Sequence, residues 1–80
     1  MHVTVYSTPT CPWCHKTKAF LKDHDVAFED VDVSADADRA EEMIHKSGQM
    51  GVPVVAIKED DKEEIVIGYD EKELKKLIHI

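Results

Sequence analysis

Cys11 and Cys14, separated by Pro12 and Trp13, are the only cysteines of this 80-residue chain. They lie in the stretch Thr8 to Lys18, Thr-Pro-Thr-Cys-Pro-Trp-Cys-His-Lys-Thr-Lys, which follows an apolar run and opens an amphipathic pattern of helical period. A Cys-x-x-Cys pair at a strand-to-helix junction puts the first sulfur at the first helical turn. There the unpaired backbone N–H groups and the positive end of the helix dipole stabilise a thiolate. A free thiol has a pKa of about 8.5, and such a position lowers it. The second sulfur lies about one turn deeper, on the core side, and is expected to keep its proton until needed. The chemistry that follows is thiol–disulfide exchange. Cys11 attacks a substrate disulfide, and Cys14 then attacks the mixed disulfide, leaving Cys11–Cys14 oxidised.

Other chemistry could use the same atoms. Cys11-Pro12-Trp13-Cys14-His15 fits the Cys-x-x-Cys-His pattern of covalent haem attachment. That use needs a distal ligand and does not go with the alternating β/α pattern downstream. Zinc with His15 as third ligand, or an iron–sulfur cluster shared by two chains, is the alternative reading, a metal or cluster carrier. His15 directly follows Cys14 and on a helix points about 100° away from it, so it completes a site poorly, and no metal ligands are assigned. His2, His24, His45 and His79 are scattered. Glu59-Asp60-Asp61 lacks the spacing of a metal loop and reads as a solubilising turn. Lys16, Lys18 and Lys22 are placed on the outward, solvated face of the helix, with modest stabilisation of the thiolate by Lys16 and Lys18 as the alternative, and Asp30 and Asp32 at a strand edge.

The elements that must position the cysteines can be read in order. His2 to Tyr6 alternates and is β-branched, hence a strand. Ser7 to Thr10 turns, Thr10 is the expected N-cap, and Pro12 suits the first helical turn. Cys14, Thr17, Leu21 and His24, with Phe20 beside them, share the inner face. Ala27 to Val33 gives a second strand, parallel to the first through a right-handed crossover. Ala37, Ala40, Met43, Ile44 and Ser47 mark the buried face of a second helix that stops at Gly48. Val52 to Ile57 reads as a central strand, Lys58 to Glu64 as a charged turn and Ile65 to Ile67 as the returning strand. Asp70 and Glu73 form a capping box for a last helix presenting Leu74, Leu77 and Ile78. The order β-α-β-α-β-β-α implies an α/β fold, a four-stranded mixed sheet flanked by three helices.

Eighty residues form one domain, 1–80, and 42% hydrophobic content allows a core without staples. A formal charge of −7 excludes nucleic acid and anionic membrane as natural partners. No run reaches transmembrane length and no export signal precedes the first strand, so a cytoplasmic, reducing location is expected. In that compartment a cysteine pair is catalytic or metal-binding rather than structural. A monomer is expected.

The order of elements, with Cys11-Pro12-Trp13-Cys14, Gly51-Val52-Pro53-Val54 and Gly68-Tyr69-Asp70 in sequence, resembles the glutaredoxin branch of the thioredoxin superfamily over essentially the whole chain. The group includes glutaredoxins proper, NrdH-type redoxins that supply ribonucleotide reductase, and small glutaredoxin-like proteins. Tyr6-Ser7-Thr8-Pro9-Thr10 and Ser47-Gly48-Gln49-Met50-Gly51-Val52-Pro53 are most similar to the last. The resemblance implies a thioredoxin fold and an oxidoreductase, with Cys11 as nucleophile and Cys14 as resolving thiol. Pro12 and Trp13 join the substrate-binding surface. Pro53 would be a cis-proline facing the cysteines, with the Val52 backbone pairing to substrate as an added strand. Gln49, Gly68, Tyr69 and Asp70 complete the binding set, the last three offering N–H groups at a helix start.

The chain departs from the family pattern at Thr8, where many members carry Lys, at Met50, where a basic residue is frequent, and at Tyr69, which replaces the second Gly of a Gly-Gly pair. Each lost cation removes a charge-assisted contact of roughly 1.5–3 kcal/mol, enough together for more than about tenfold in affinity. Protein disulfides are therefore expected as substrates. No cofactor is expected beyond the redox-active disulfide, and glutathione would be at best a secondary reductant. Electrons would come from a thioredoxin-reductase-type flavoenzyme, a ferredoxin-linked reductase or a small thiol.

Overall fold

A computed structural model describes residues 1–79. The elements are β1 (His2–Ser7), α1 (Pro12–Asp23), β2 (Glu29–Asp32), α2 (Ala37–Ser47), β3 (Val54–Glu59), β4 (Lys62–Ile67) and α3 (Glu71–Ile78). They form a thioredoxin-like fold in which the sheet order is β2-β1-β3-β4. β1 runs parallel to β2 and antiparallel to β3, and β3 and β4 form an antiparallel hairpin.

Alternation along the strands divides the core between two faces. Val3 and Val5 of β1, Val55 and Ile57 of β3 and Val66 of β4 pack against Phe20 and Leu21 of α1 and Leu74 and Ile78 of α3. Tyr6, Val31, Val54 and Ala56 point the other way and meet Met43 of α2. β1 and β3 are thus covered on both sides, which explains why Val52 to Ile57 reads as an unbroken apolar run.

Several boundaries differ from the sequence reading. The second strand is confined to Glu29–Asp32, not Ala27 to Val33, although the Val33 N–H still donates to the Ser7 carbonyl at 3.0 Å. Lys58 to Glu64 is not a turn: only Asp60 and Asp61 lie between the strands, with Lys58 opposite Glu63 and Glu59 opposite Lys62. The backbone ladder continues there without an apolar pattern, and Glu63 pairs instead with Lys46 of α2 at 2.9 Å. Asp60 takes a left-handed φ of 56°, which a short polar side chain tolerates. On α2, Met43 is buried and Ala40 and Ser47 half-buried, but Ala37 and Ile44 are exposed. Ile44 is rotated about 100° from Met43, and that side of the sheet is instead bridged by polar residues. Tyr6 donates its hydroxyl to Glu42, which also accepts from Arg39 at 3.2 Å, and Arg39 reaches Glu29 at 3.0 Å. Gly48 ends α2 as expected, at φ 73°, with its N–H on the Ile44 carbonyl at 2.8 Å.

Candidate functional site

The site lies where β1 feeds α1. Proline disfavours helical φ/ψ in the residue before it, so Pro12 keeps Cys11 outside the helix at φ −90°, ψ 111°. Cys11, rather than Thr10, is therefore the N-cap. Its sulfur accepts the Cys14 backbone N–H at 3.2 Å, and its carbonyl accepts the His15 N–H at 3.2 Å. Cys11 is half-buried, whereas Cys14 is fully buried beneath it; both are free thiols. Burial pushes the Cys14 thiol up to about 11, helped by its hydrogen bond with Cys11, while the Thr8 backbone and the charge of Lys18 pull it down.

The loop before β3 closes over the same sulfur. The Val52–Pro53 peptide bond is cis, Pro53 is buried, and the Val52 carbonyl lies 3.9 Å from the Cys11 Sγ. The Pro53 carbonyl accepts the Gly68 N–H at 2.8 Å, tying the start of the last helical segment to this loop. Gly68 sits at φ 80°, in the left-handed region that favours glycine. Trp13, 55% exposed, stacks on Tyr69 with ring centroids 6.3 Å apart, and the Lys16 ammonium lies 4.5 Å from the Trp13 ring centroid. Trp13, Val52, Pro53, Gly68 and Tyr69 line a shallow groove of about 290 Å³ beside the cysteines.

Three residues expected in that set, Pro12, Gln49 and Asp70, lie outside the groove lining, Pro12 opening α1. The Gln49 side chain clamps its own loop, accepting the Gly51 N–H at 2.7 Å and donating to the Gly51 carbonyl at 2.9 Å. Asp70 caps α3, its carboxylate accepting the Glu73 N–H at 3.2 Å. Thr8 supplies no cation, and Met50 is 77% exposed. The His15 Nε2 is engaged with the Pro9 carbonyl at 2.8 Å. A larger cleft of about 480 Å³ opens at the far end, between the Asp60-Asp61 turn and the end of α3. It is lined mainly by charged residues and contains neither cysteine, so size does not make it the site.

Lys18 was missed as an inward-turned residue. Its ammonium does not extend into solvent but turns inward, its side chain only 16% exposed, onto Asp30 at 3.2 Å and Ser7 at 3.4 Å. Its position four residues after Cys14, hence on the same helical face, is the signal that could have found it. Ser7, Pro9, His15, Lys18, Asp30 and Asp32 line a polar cleft of about 300 Å³.

The family model described as Glutaredoxin matches residues 3–61. A Clostridium pasteurianum protein described as an uncharacterized glutaredoxin-like 8.6 kDa protein in rubredoxin operon is 46% identical over 76 residues, covering 95% of this chain and 96% of its own. Among solved structures, the glutaredoxin of Archaeoglobus fulgidus is similar with a TM-score of 0.85 and 36% identity, over 99% of this chain and 87% of that one. The glutaredoxin-like NrdH-redoxin of Escherichia coli, whose structure is described as the basis of a thioredoxin-like activity profile, is similar with a TM-score of 0.77. It is 26% identical, over 96% of this chain and 95% of its own.

Proposed function

Since the chain belongs to the glutaredoxin family of redox proteins, we propose that it is a dithiol–disulfide oxidoreductase reducing protein disulfides through Cys11 and Cys14. The observation that carries this is the Cys11 sulfur at the helix cap, 3.2 Å from the Cys14 N–H, on a half-buried residue, with the second thiol buried behind it. The Cys11 thiolate attacks one sulfur of a substrate disulfide, forming a mixed disulfide and releasing the other sulfur as a thiolate. Cys14 loses its proton and attacks Cys11, the Cys11–Cys14 bond forms, and the second substrate sulfur leaves. The substrate gains two electrons and the Cys11/Cys14 pair loses them.

An extended substrate segment fits the groove, pairing with the Val52 backbone while Trp13 and Tyr69 flank it. The Val52 N–H has no partner among the described residues, and so is free to donate. Exposed Met50 and the lack of a cation at residue 8 suit an apolar polypeptide better than the carboxylates of glutathione. Protein disulfides, that of ribonucleotide reductase among them, are the proposed substrates, in the cytosol. The reductant is a flavoenzyme, a ferredoxin-linked enzyme or a small thiol.

The test is reduction of a protein disulfide by the wild-type and two variants. Cys11→Ser should abolish turnover, and Cys14→Ser should accumulate a mixed disulfide with the protein substrate. Wild-type rates from Cys11→Ser would overturn the assignment. Assayed against a panel of donors, the oxidised protein should turn over poorly with glutathione, and saturation at millimolar glutathione or below would refute the proposed substrate preference.

A further inference from the structure

We propose that Lys18 is a positioning residue for the second half of the exchange: its ammonium, anchored by Ser7 and Asp30 one helical turn beyond Cys14, favours a thiolate at Cys14 once Cys11 is held in the mixed disulfide. The inference rests on the dithiol reading above. A lysine on a solvated face keeps its ammonium in water, but here the ammonium is the inner partner of its ion pair, with side-chain exposures of 16% for Lys18 and 51% for Asp30. Its Nζ donates to both Asp30 oxygens, at 3.2 and 3.4 Å, and to the Ser7 Oγ at 3.4 Å. Ser7, only 2% exposed at the end of β1, donates in turn to Asp30 at 3.1 Å. These contacts fix the charge. Lys18 follows Cys14 by four residues, so the two share one helical face, and the lysine's charge pulls the Cys14 thiol down.

The need for such a charge is plain, because Cys14 is buried and its thiol is pushed up to about 11. While Cys11 is a thiolate, a second anion beside it is repelled. When Cys11 enters the mixed disulfide that repulsion vanishes and the attraction of Lys18 remains. The Cys14 proton leaves to water; Lys18 itself lines the polar cleft with Ser7, Pro9, His15, Asp30 and Asp32. The thiolate then forms the Cys11–Cys14 bond, and the substrate sulfur departs and takes a proton from water. The other charges near this cleft are already engaged: Asp30 by Lys18, Asp32 by the Ser34 N–H at 2.9 Å, and the His15 ring by the Pro9 carbonyl.

Two measurements test this. In a Cys11→Ser background, which removes the neighbouring thiol, the rate of Cys14 alkylation is followed against pH. Adding Lys18→Met should raise the midpoint by about one pH unit, Lys18→Arg should leave it near the parent value, and Ser7→Ala should raise it less. With both cysteines present, a single turnover with a disulfide-bonded peptide is quenched in acid and the mixed disulfide counted by mass spectrometry. At neutral pH, Lys18→Met should resolve it about threefold more slowly, since a tenfold loss of thiolate is partly offset by higher nucleophilicity. The deficit should close as pH rises past the Cys14 midpoint. An unmoved alkylation midpoint, or slowing by the same factor at every pH, overturns the proposal. Should Lys18→Met not fold, Ser7→Ala decides by the same readouts. Absence of any mixed disulfide from the unaltered chain would instead count against the dithiol reading, and the alkylation arm would still judge Lys18.

Discussion

The two cysteines differ in burial, and that difference sets how each meets reagents. Cys11 is half-buried, while Cys14 is sealed beneath it and pushed up to about 11, chiefly by burial. Iodoacetamide at pH 8 should therefore label the reduced protein once, at Cys11, with peptide mapping as the check. Cys14 should become reactive only as the pH approaches that value. The same shift has a sign for stability. A buried thiol raised above its unfolded value of about 8.5 stabilises the fold in its neutral form, and that contribution is lost as pH rises through about 11. Denaturant titrations between those limits should show stability falling with pH, and Cys14→Ala should flatten the fall. The spacing Cys-Pro-Trp-Cys made both thiols legible, but Thr10 was read as the cap because it is the better capping residue type. The restriction that Pro12 imposes on its predecessor decided the matter. Lys18 was read as a surface lysine because helical periodicity says nothing of Asp30, which reaches it only once β2 is laid beside β1.

At the scale of elements, α1, α3 and the two central strands were legible because their apolar residues repeat at helical or strand spacing. The hairpin and α2 were harder. β4 begins in Lys-Glu-Glu, and its strand character comes from its register along β3, which no single segment displays. The inner side of α2 is partly polar, since Arg39 and Glu42 bridge to Glu29 and Tyr6, and so Ile44 could be left in water. Tyr6→Phe, which removes the hydroxyl from Glu42, should cost about 1 kcal/mol of unfolding free energy, measured by urea denaturation. At the end of α2, a Cβ on Gly48 would meet nothing within 4 Å, so only the φ of 73° opposes a side chain there. Gly48→Ala should destabilise by about 1 kcal/mol or more and lower Tm by roughly 4–8 °C in a domain of this size.

For the whole molecule, the sheet separates two cores, one shared by α1 and α3 and one under α2. Among the described residues no helix is long and apolar enough to cross a membrane. The order of elements was legible because each core takes alternate residues of the same strands, whereas contacts between distant charged residues were not. Glu29, Asp32, Glu42 and Glu71 are held below the usual carboxylate range, first of all by hydrogen bonds from Arg39, Ser34, Tyr6 and Lys75 respectively. Such groups contribute stability above the unfolded carboxylate range of about 3.9–4.3 and lose it as pH falls through their folded values. Thermal melts should therefore drop below about pH 4, and Arg39→Met should weaken that acid dependence. The Cys11 sulfur, finally, is the proposed nucleophile and also caps the start of a helix. Because the cycle linking folding and oxidation must close, any gain the reduced chain takes from that cap makes the disulfide an equally better oxidant. Unfolding curves for the two redox forms, set beside the potential of the unfolded chain, would yield its electron-donating tendency without an electrode.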